Sequence, residues 1–271
     1  MKAAIITPIP ELTEEYSREF CLLLEHLVAK HEKYAQFYSK MREQGAYLIL
    51  DNSAHEHKTG TTAENLIRSM VQVRASEVVV PDMLFSCEGT LKTSKEALLA
   101  FLQSEEFNAS PLRLMLVPQG KDYQDWRTCL QGLLWMYYHL QGDNPDALPY
   151  PPVIGLSKDY ETWDGGLVQL VGAHLAPLVH RDGIDIHLLG WGRDARVYRE
   201  LADTFPEIRS TDSAKPFVYA NHRMRLPTSD TEEWPQYPLR PERFFTTGLT
   251  LFQRAIARHN VQVFKAMVND S

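Results

Sequence analysis

Six short apolar runs in this chain each end in polar or glycine-containing residues, and that repetition limits the possible folds more than any other feature. Tyr47-Leu48-Ile49-Leu50 leads without a spacer into Asp51-Asn52-Ser53-Ala54-His55-Glu56. The pattern returns at Val78-Val79-Val80-Pro81-Asp82, at Leu114-Met115-Leu116-Val117-Pro118-Gln119-Gly120 and at Val153-Ile154-Gly155-Leu156-Ser157. It returns again at Ile186-His187-Leu188-Leu189-Gly190-Trp191-Gly192 and Ile208-Arg209-Ser210-Thr211-Asp212-Ser213. Short apolar runs bounded by turn residues fit strands buried on both faces, as in a parallel sheet covered by helices. Each such strand delivers its polar residues at its C-terminal end.

The stretches between these runs read as helices. Lys2 to Ile6 predicts a first strand, Pro8 and Pro10 punctuate it, and a helix is expected over about Glu11 to Ala29, where Phe20, Leu23, Leu24 and Leu27 recur at helical spacing. Thr61-Thr62-Ala63-Glu64 resembles a capped helix start ahead of Leu66, Ile67, Met70, Val71 and Val73. Further helices are expected over Ser94 to Gln103, Tyr123 to Leu140, Leu167 to Leu178 with Pro177 ending it, and Arg196 to Phe205. Phe217 to Ala220 reads as an eighth strand. Pro227, Pro235, Pro238 and Pro241 then mark a lid or insertion around 226–243, and Phe244 to Val268 closes the chain as one or two helices.

Eight strands alternating with helices point to a (β/α)8 TIM barrel, a single domain over residues 1–271, whose chemistry belongs at the strand C-termini. The doubly wound open sheet is the rival. Its dinucleotide-binding form loses ground because no G-x-G-x-x-G follows the first strand.

Composition narrows the function classes. With 271 residues and 44% hydrophobic content the chain is long enough to bury a large core. Its three cysteines, Cys21, Cys87 and Cys129, are widely separated with no C-x2-C pair, which indicates neither a disulfide framework nor a cysteine zinc site and leads to a cytoplasmic expectation. No membrane span or signal core is read from the sequence. The net charge of -7 argues against a non-specific nucleic-acid coat. Lys58, Lys121, Lys158, Arg193, Lys215, Arg223 and Arg225 nevertheless follow the strand exits, so a positive mouth on an acidic body is one reading, and for Lys58, Arg193 and Arg225 solvated surface charge is the other.

Taken in order, these motifs resemble those of the tRNA-guanine transglycosylase superfamily, and most of all its short branch, the 7-deazaguanine DNA transglycosylases of bacteria and phages. Leu50-Asp51-Asn52-Ser53-Ala54-His55-Glu56 is similar to the family's D-S-G-G-[FY]-Q, and Pro81-Asp82 stands where the family places the aspartate that reads the purine edge. Val117-Pro118-Gln119-Gly120 resembles V-Q-G-G, Ile154-Gly155-Leu156 resembles I-G-G-L, and Leu188-Leu189-Gly190-Trp191-Gly192 resembles L-M-G-V-G. Thr211-Asp212-Ser213 falls at the family's nucleophilic aspartate. Asn52 and Ser53 depart from small residues, His55 replaces a base-stacking aromatic, and the C-x-C-x2-C of the zinc subdomain is missing.

The resemblance implies exchange of guanine in DNA for a free 7-deazaguanine base, such as a cyano- or aminomethyl-substituted one, with tRNA as the alternative polymer. It implies Asp212 as nucleophile and Asp51 as general acid and base, in the manner of retaining glycosidases. Asp82, Gln119, Gly120, Gly155, Leu156 and Gly190 would line the base edge, and His55 and Leu189 its faces. No cofactor or metal is expected, and the compartment would be the host cytoplasm if the gene is carried by a phage. A target base must be flipped from a duplex or already single-stranded.

Plainer readings stand beside these. Asp82 or Asp212 alone is equally a helix N-cap or a loop acceptor, and Gln119-Gly120 or Gly155 alone is more often a turn residue. His187 reads as a satisfied polar group of the core. His55-Glu56-His57 admits a metal-dependent hydrolase, although strands five and six exit without a histidine. A nucleobase-binding protein without catalysis, and a homodimer through the closing helix, remain open.

Overall fold

A computed structural model of the protein describes residues 1–17, 19–57, 59–190, 195–228, 238 and 240–269. Among these, the strands are β1 (Lys2–Ile5), β2 (Phe20–Leu24), β3 (Tyr47–Asp51), β4 (Glu77–Val79), β5 (Arg113–Leu116), β6 (Val153–Ser157), β7 (Asp185–Leu189) and β8 (Ile208–Ser213). They form one parallel sheet of eight strands in the order β1-β8-β7-β6-β5-β4-β3-β2, the (β/α)8 TIM-barrel arrangement. In the register of the parallel ladders, Ala4 pairs with Asp212, Leu50 with Val78, Val79 with Met115 and Leu116 with Ile154. Parallel pairing of this kind brings the C-terminal residues of adjacent strands side by side.

The expected count of eight is met, but not with the expected eight strands. Phe20–Leu24 is β2, inside the stretch read as one long helix. All five of its residues are buried, so it shows no period-2 alternation, and its leucines also fit helical spacing. Phe217–Ala220 belongs to a helix, Lys215–Asn221, with Pro216 in its first turn, where a missing N–H costs nothing. Its buried Phe217, Val218, Tyr219 and Ala220 face core on several sides, which makes the run look like a strand.

A third difference lies at Pro177. The helix begun at Gly166–Leu170 passes through a π turn at Val171–Leu175 and continues over Ala176–Asp182. Ala176 N–H reaches back to Val171 O, and the wider turn accommodates the proline that would otherwise stop an α-helix. Two expected helices start at capped positions, where Thr62 Oγ1 accepts from Asn65 N–H and Asp122 Oδ1 from Asp125 N–H at the head of Tyr123–Asp143, while the helix expected from Ser94 begins earlier, at Cys87, capped by Ser86.

Contacts along the chain divide it into two compact units, one of residues 1–21, 157–177 and 187–271, the other of 22–156 and 178–186. In the second, Leu48, Ile49, Leu50, Val78, Val79, Leu114, Met115 and Leu116 are buried strand residues, overlaid by Trp126, Leu133 and a stacked Phe101–Phe107 pair at 5.3 Å. In the first, the closing helix Leu251–Asn269 is tied down by Asn260, which donates from Nδ2 to Pro216 O and Met224 O and accepts from Leu226 N–H. Arg254 Nε donates to the buried Glu11 carboxylate at 2.8 Å. Most of the segment expected as a lid, around 226–243, lies outside the described residues. No helix among the described residues is long and apolar enough to cross a membrane.

Candidate functional site

The larger unit gathers three of its strand-exit residues into one polar network. Asn52 follows β3, Asp82 follows β4 and Gln119 follows β5, and all three side chains are buried. Asp82 Oδ1 accepts from Asn52 Nδ2 at 2.7 Å, and Asp82 Oδ2 accepts from Gln119 Nε2 at 2.6 Å. Asn52 also donates to Val80 O and accepts from Ala54 N–H, while Gln119 Oε1 accepts from Phe85 N–H. Each amide is therefore fixed in one orientation by the donors and acceptors around it. Burial pushes the Asp82 carboxyl up to about 6, against the two amide donors that pull it down.

The backbone braces this network. Gly60 N–H donates to Asp82 O and Thr61 N–H to Asn52 O, so residues 59–61 tie the two loops together. Ser94 Oγ and Thr93 Oγ1 donate to Pro81 O. Gln119 N–H lies 3.4 Å from Cys129 Sγ, and a Cβ on Gly120 would stand 2.3 Å from Trp126 N, so only glycine admits this helix so close. Gly120, expected at the base edge, is thus also a packing requirement.

In the other unit, Asp212 sits near the end of β8 and is 4% exposed. Its Oδ1 accepts from Gly190 N–H at 2.9 Å and lies 3.2 Å from His187 Nε2. Its Oδ2 has no hydrogen-bond partner among the described residues. Gly190 has a φ of 72°, a left-handed conformation that glycine adopts without steric cost. His187 Nδ1 in turn lies 2.8 Å from Ser210 Oγ, which accepts from Arg209 Nε at 3.1 Å. Ser210 and Asp212 are two apart on one strand and share its face, which is why one imidazole meets both.

Asp51 ends β3, and its Oδ2 accepts from Ser53 N–H at 2.7 Å. Ser53 has a φ of 60°, unusual for a residue with a side chain, and its Oγ lies 2.9 Å from His26 Nδ1. His55 is exposed on the short helix Ala54–His57, while His57 packs edge to face on His26 at 5.2 Å. Among the described residues no group of His, Cys, Asp and Glu is placed to hold a metal ion. Gly155 and Leu156 lie within β6, and Leu189 and Gly190 at and just after the end of β7.

The expected phosphate contacts divide three ways. Lys121, Arg223 and Arg225 are exposed, and Lys158 is half-buried, its side chain packed against Gly190. Lys215 is only 4% exposed, at the first turn of the helix Lys215–Asn221 that directly follows β8. Lys58 and Arg193 lie outside the described residues.

Asn52, Ser210 and His187 are the participants that the motif order did not single out. Only the i, i+2 spacing of Ser210 and Asp212 carries a signal of their meeting in the sequence. Neither protein-family models nor curated proteins give a match to this chain.

Proposed function

We propose that this protein is a guanine transglycosylase that replaces guanine in DNA with a free 7-deazaguanine base by double displacement. The observation that carries the reading is the Asp212 carboxylate: buried at a strand end, held through one oxygen by the Gly190 amide and His187, with no partner on the other oxygen among the described residues. A nucleophile needs one oxygen oriented and one unengaged.

In the first half-reaction Asp212 Oδ2 attacks C1′ of the target nucleoside as the C1′–N9 bond breaks, giving a covalent glycosyl ester. Asp51 protonates the departing guanine. In the second half-reaction Asp51 takes the proton from N9 of the incoming base, that nitrogen attacks C1′, and the Asp212 carboxylate is released. Asp82 supplies acceptor lone pairs for the N–H donors of the purine edge, with Asn52 and Gln119 fixing the carboxylate plane. The backbone at Gly155 and Leu156 adds edge contacts, and His55 and Leu189 cover the base faces. Lys121, Arg223 and Arg225 are available to phosphates. No cofactor or metal enters this scheme.

The test is incorporation of labelled guanine into DNA and, separately, into tRNA, by the wild type and by the Asp212→Asn and Asp51→Asn proteins. Label in DNA that disappears in both variants supports the proposal. Label in tRNA alone keeps the chemistry and changes the polymer. Full exchange by Asp212→Asn removes the mechanism, and a wild type that binds guanine without exchanging it leaves a nucleobase-binding protein.

A further inference from the structure

We infer that His187 is a positioning residue for Asp212, held as a neutral imidazole that donates from Nε2 to Asp212 Oδ1 by a hydrogen-bond relay running from Arg209 through Ser210. The inference rests on the transglycosylase reading for its kinetic consequence, but not for its proton arrangement.

The direction of the relay follows from counting donors and acceptors. An arginine Nε–H only donates, so at 3.1 Å Ser210 Oγ accepts from Arg209. Ser210 is fully buried, and the only other hydrogen-bond partner of its hydroxyl among the described residues is His187 Nδ1 at 2.8 Å. If Nδ1 carried a proton, the Ser210 hydroxyl hydrogen would be left buried with no acceptor, the costly arrangement for a polar group. Ser210 therefore donates to Nδ1. A neutral ring with a lone pair at Nδ1 carries its proton at Nε2, which faces Asp212 Oδ1 at 3.2 Å. The opposite tautomer would set a nitrogen lone pair against a carboxylate oxygen.

Packing holds the ring in this plane. His187 is 0% exposed, and the Phe20 ring lies 6.4 Å from it, tilted at 35°. Arg209 stacks its guanidinium over that same Phe20 at 5.7 Å, which places the first donor of the relay. With the Gly190 amide as second donor to Oδ1, the carboxylate has two fixed points and cannot rotate to exchange its oxygens. The effect on the reaction is orientation: Oδ2 is kept as the attacking atom.

Two measurements test this. Long-range proton–nitrogen NMR of the resting protein, labelled on histidine nitrogens and assigned with His187→Gln, should show His187 protonated at Nε2 and bare at Nδ1. A proton at Nδ1, alone or with Nε2, overturns the relay. In the base-exchange assay, His187→Phe keeps the ring but removes both nitrogens, and should lower kcat roughly ten- to hundredfold with KM for the nucleic acid little changed. His187→Gln, which keeps a donor near Nε2, should recover most of that loss. Equal losses in the two variants, or a loss confined to KM, overturn the positioning role. Absence of exchange by the wild type on DNA and tRNA defeats the transglycosylase reading and the kinetic role with it, while the NMR spectrum still upholds or overturns the relay.

Discussion

Two buried aspartates at strand exits show how differently one residue type can be used. Asp82 receives an amide donor on each oxygen, from Asn52 and from Gln119. Asp212 receives two donors on one oxygen, from Gly190 and His187, and none on the other among the described residues. An evenly held carboxylate is locked in plane and suited to reading a shape. An unevenly held one has an oriented free end and suits bond formation. Burial alone does not distinguish them, since both are nearly inaccessible; the distribution of donors over the two oxygens does.

The comparison is most exposed to Asp212→Asn. If the free Oδ2 is the nucleophile, replacement by an amide should cost roughly a thousandfold or more in base exchange while leaving thermal stability within about 1 kcal/mol. A variant that unfolds but still exchanges base at the normal rate when refolded would reverse the roles assigned here.

Acidification sharpens the other side. The fold raises the Asp82 carboxyl from 3.8 to about 6, so the folded protein binds that proton more tightly than the unfolded chain. The favourable contribution is present in full below about pH 3.8 and lost as pH rises through about 6. Asp82→Asn removes the titration. Between pH 7 and pH 4 the stability difference between wild type and Asp82→Asn should therefore move toward the wild type by about 2 kcal/mol, measured by urea unfolding at each pH. A difference that stays flat over that interval would mean that the two amide donors offset the burial.

Gly120→Ala tests whether the Asp82 network depends on its backbone support. The added Cβ would press on Trp126 N at 2.3 Å, a backbone contact that cannot rotate away. A loss of about 2 kcal/mol is expected in chemical unfolding, because the helix head must shift. Guanine binding should weaken with it as Gln119 moves. Unchanged stability would show that the loop has room that the static packing does not suggest.

The smallest effects concern the exposed bases of the two units. Lys121→Ala and Arg223→Ala should each reduce the salt dependence of nucleic-acid binding by roughly one counterion without altering exchange at saturating substrate. If only one of them changes the slope, that unit carries the backbone contact and the other residue is solvated surface.

Much of this was legible in the chain itself, for definite reasons. A run such as Leu114-Met115-Leu116-Val117 ending in Pro118-Gln119-Gly120 can be read as a buried strand with a polar exit, because hydrophobic burial and turn chemistry are both local. The cap at Thr62 and the glycine at 190 follow from local conformational preference in the same way. The strand Phe20–Leu24 was not legible, because a segment buried on both faces carries no alternation and its leucines satisfy a helical period equally well. The reverse error at Phe217–Ala220 has the same origin, a helix whose neighbours cover it on several sides.

The sequence by itself determined which residues stand at the strand ends, since that depends on neighbours a few positions apart. Which of those residues meet was decided only by the tertiary structure. Asn52 is thirty positions from Asp82 and His187 twenty-five from Asp212. Their pairing depends on strand order and register, and those are set by the packing of the whole sheet and not by any local preference. The same packing gives Asp82 two amide donors and leaves Asp212 with one oxygen without a donor among the described residues, so the difference between an evenly and an unevenly held carboxylate arises at that level.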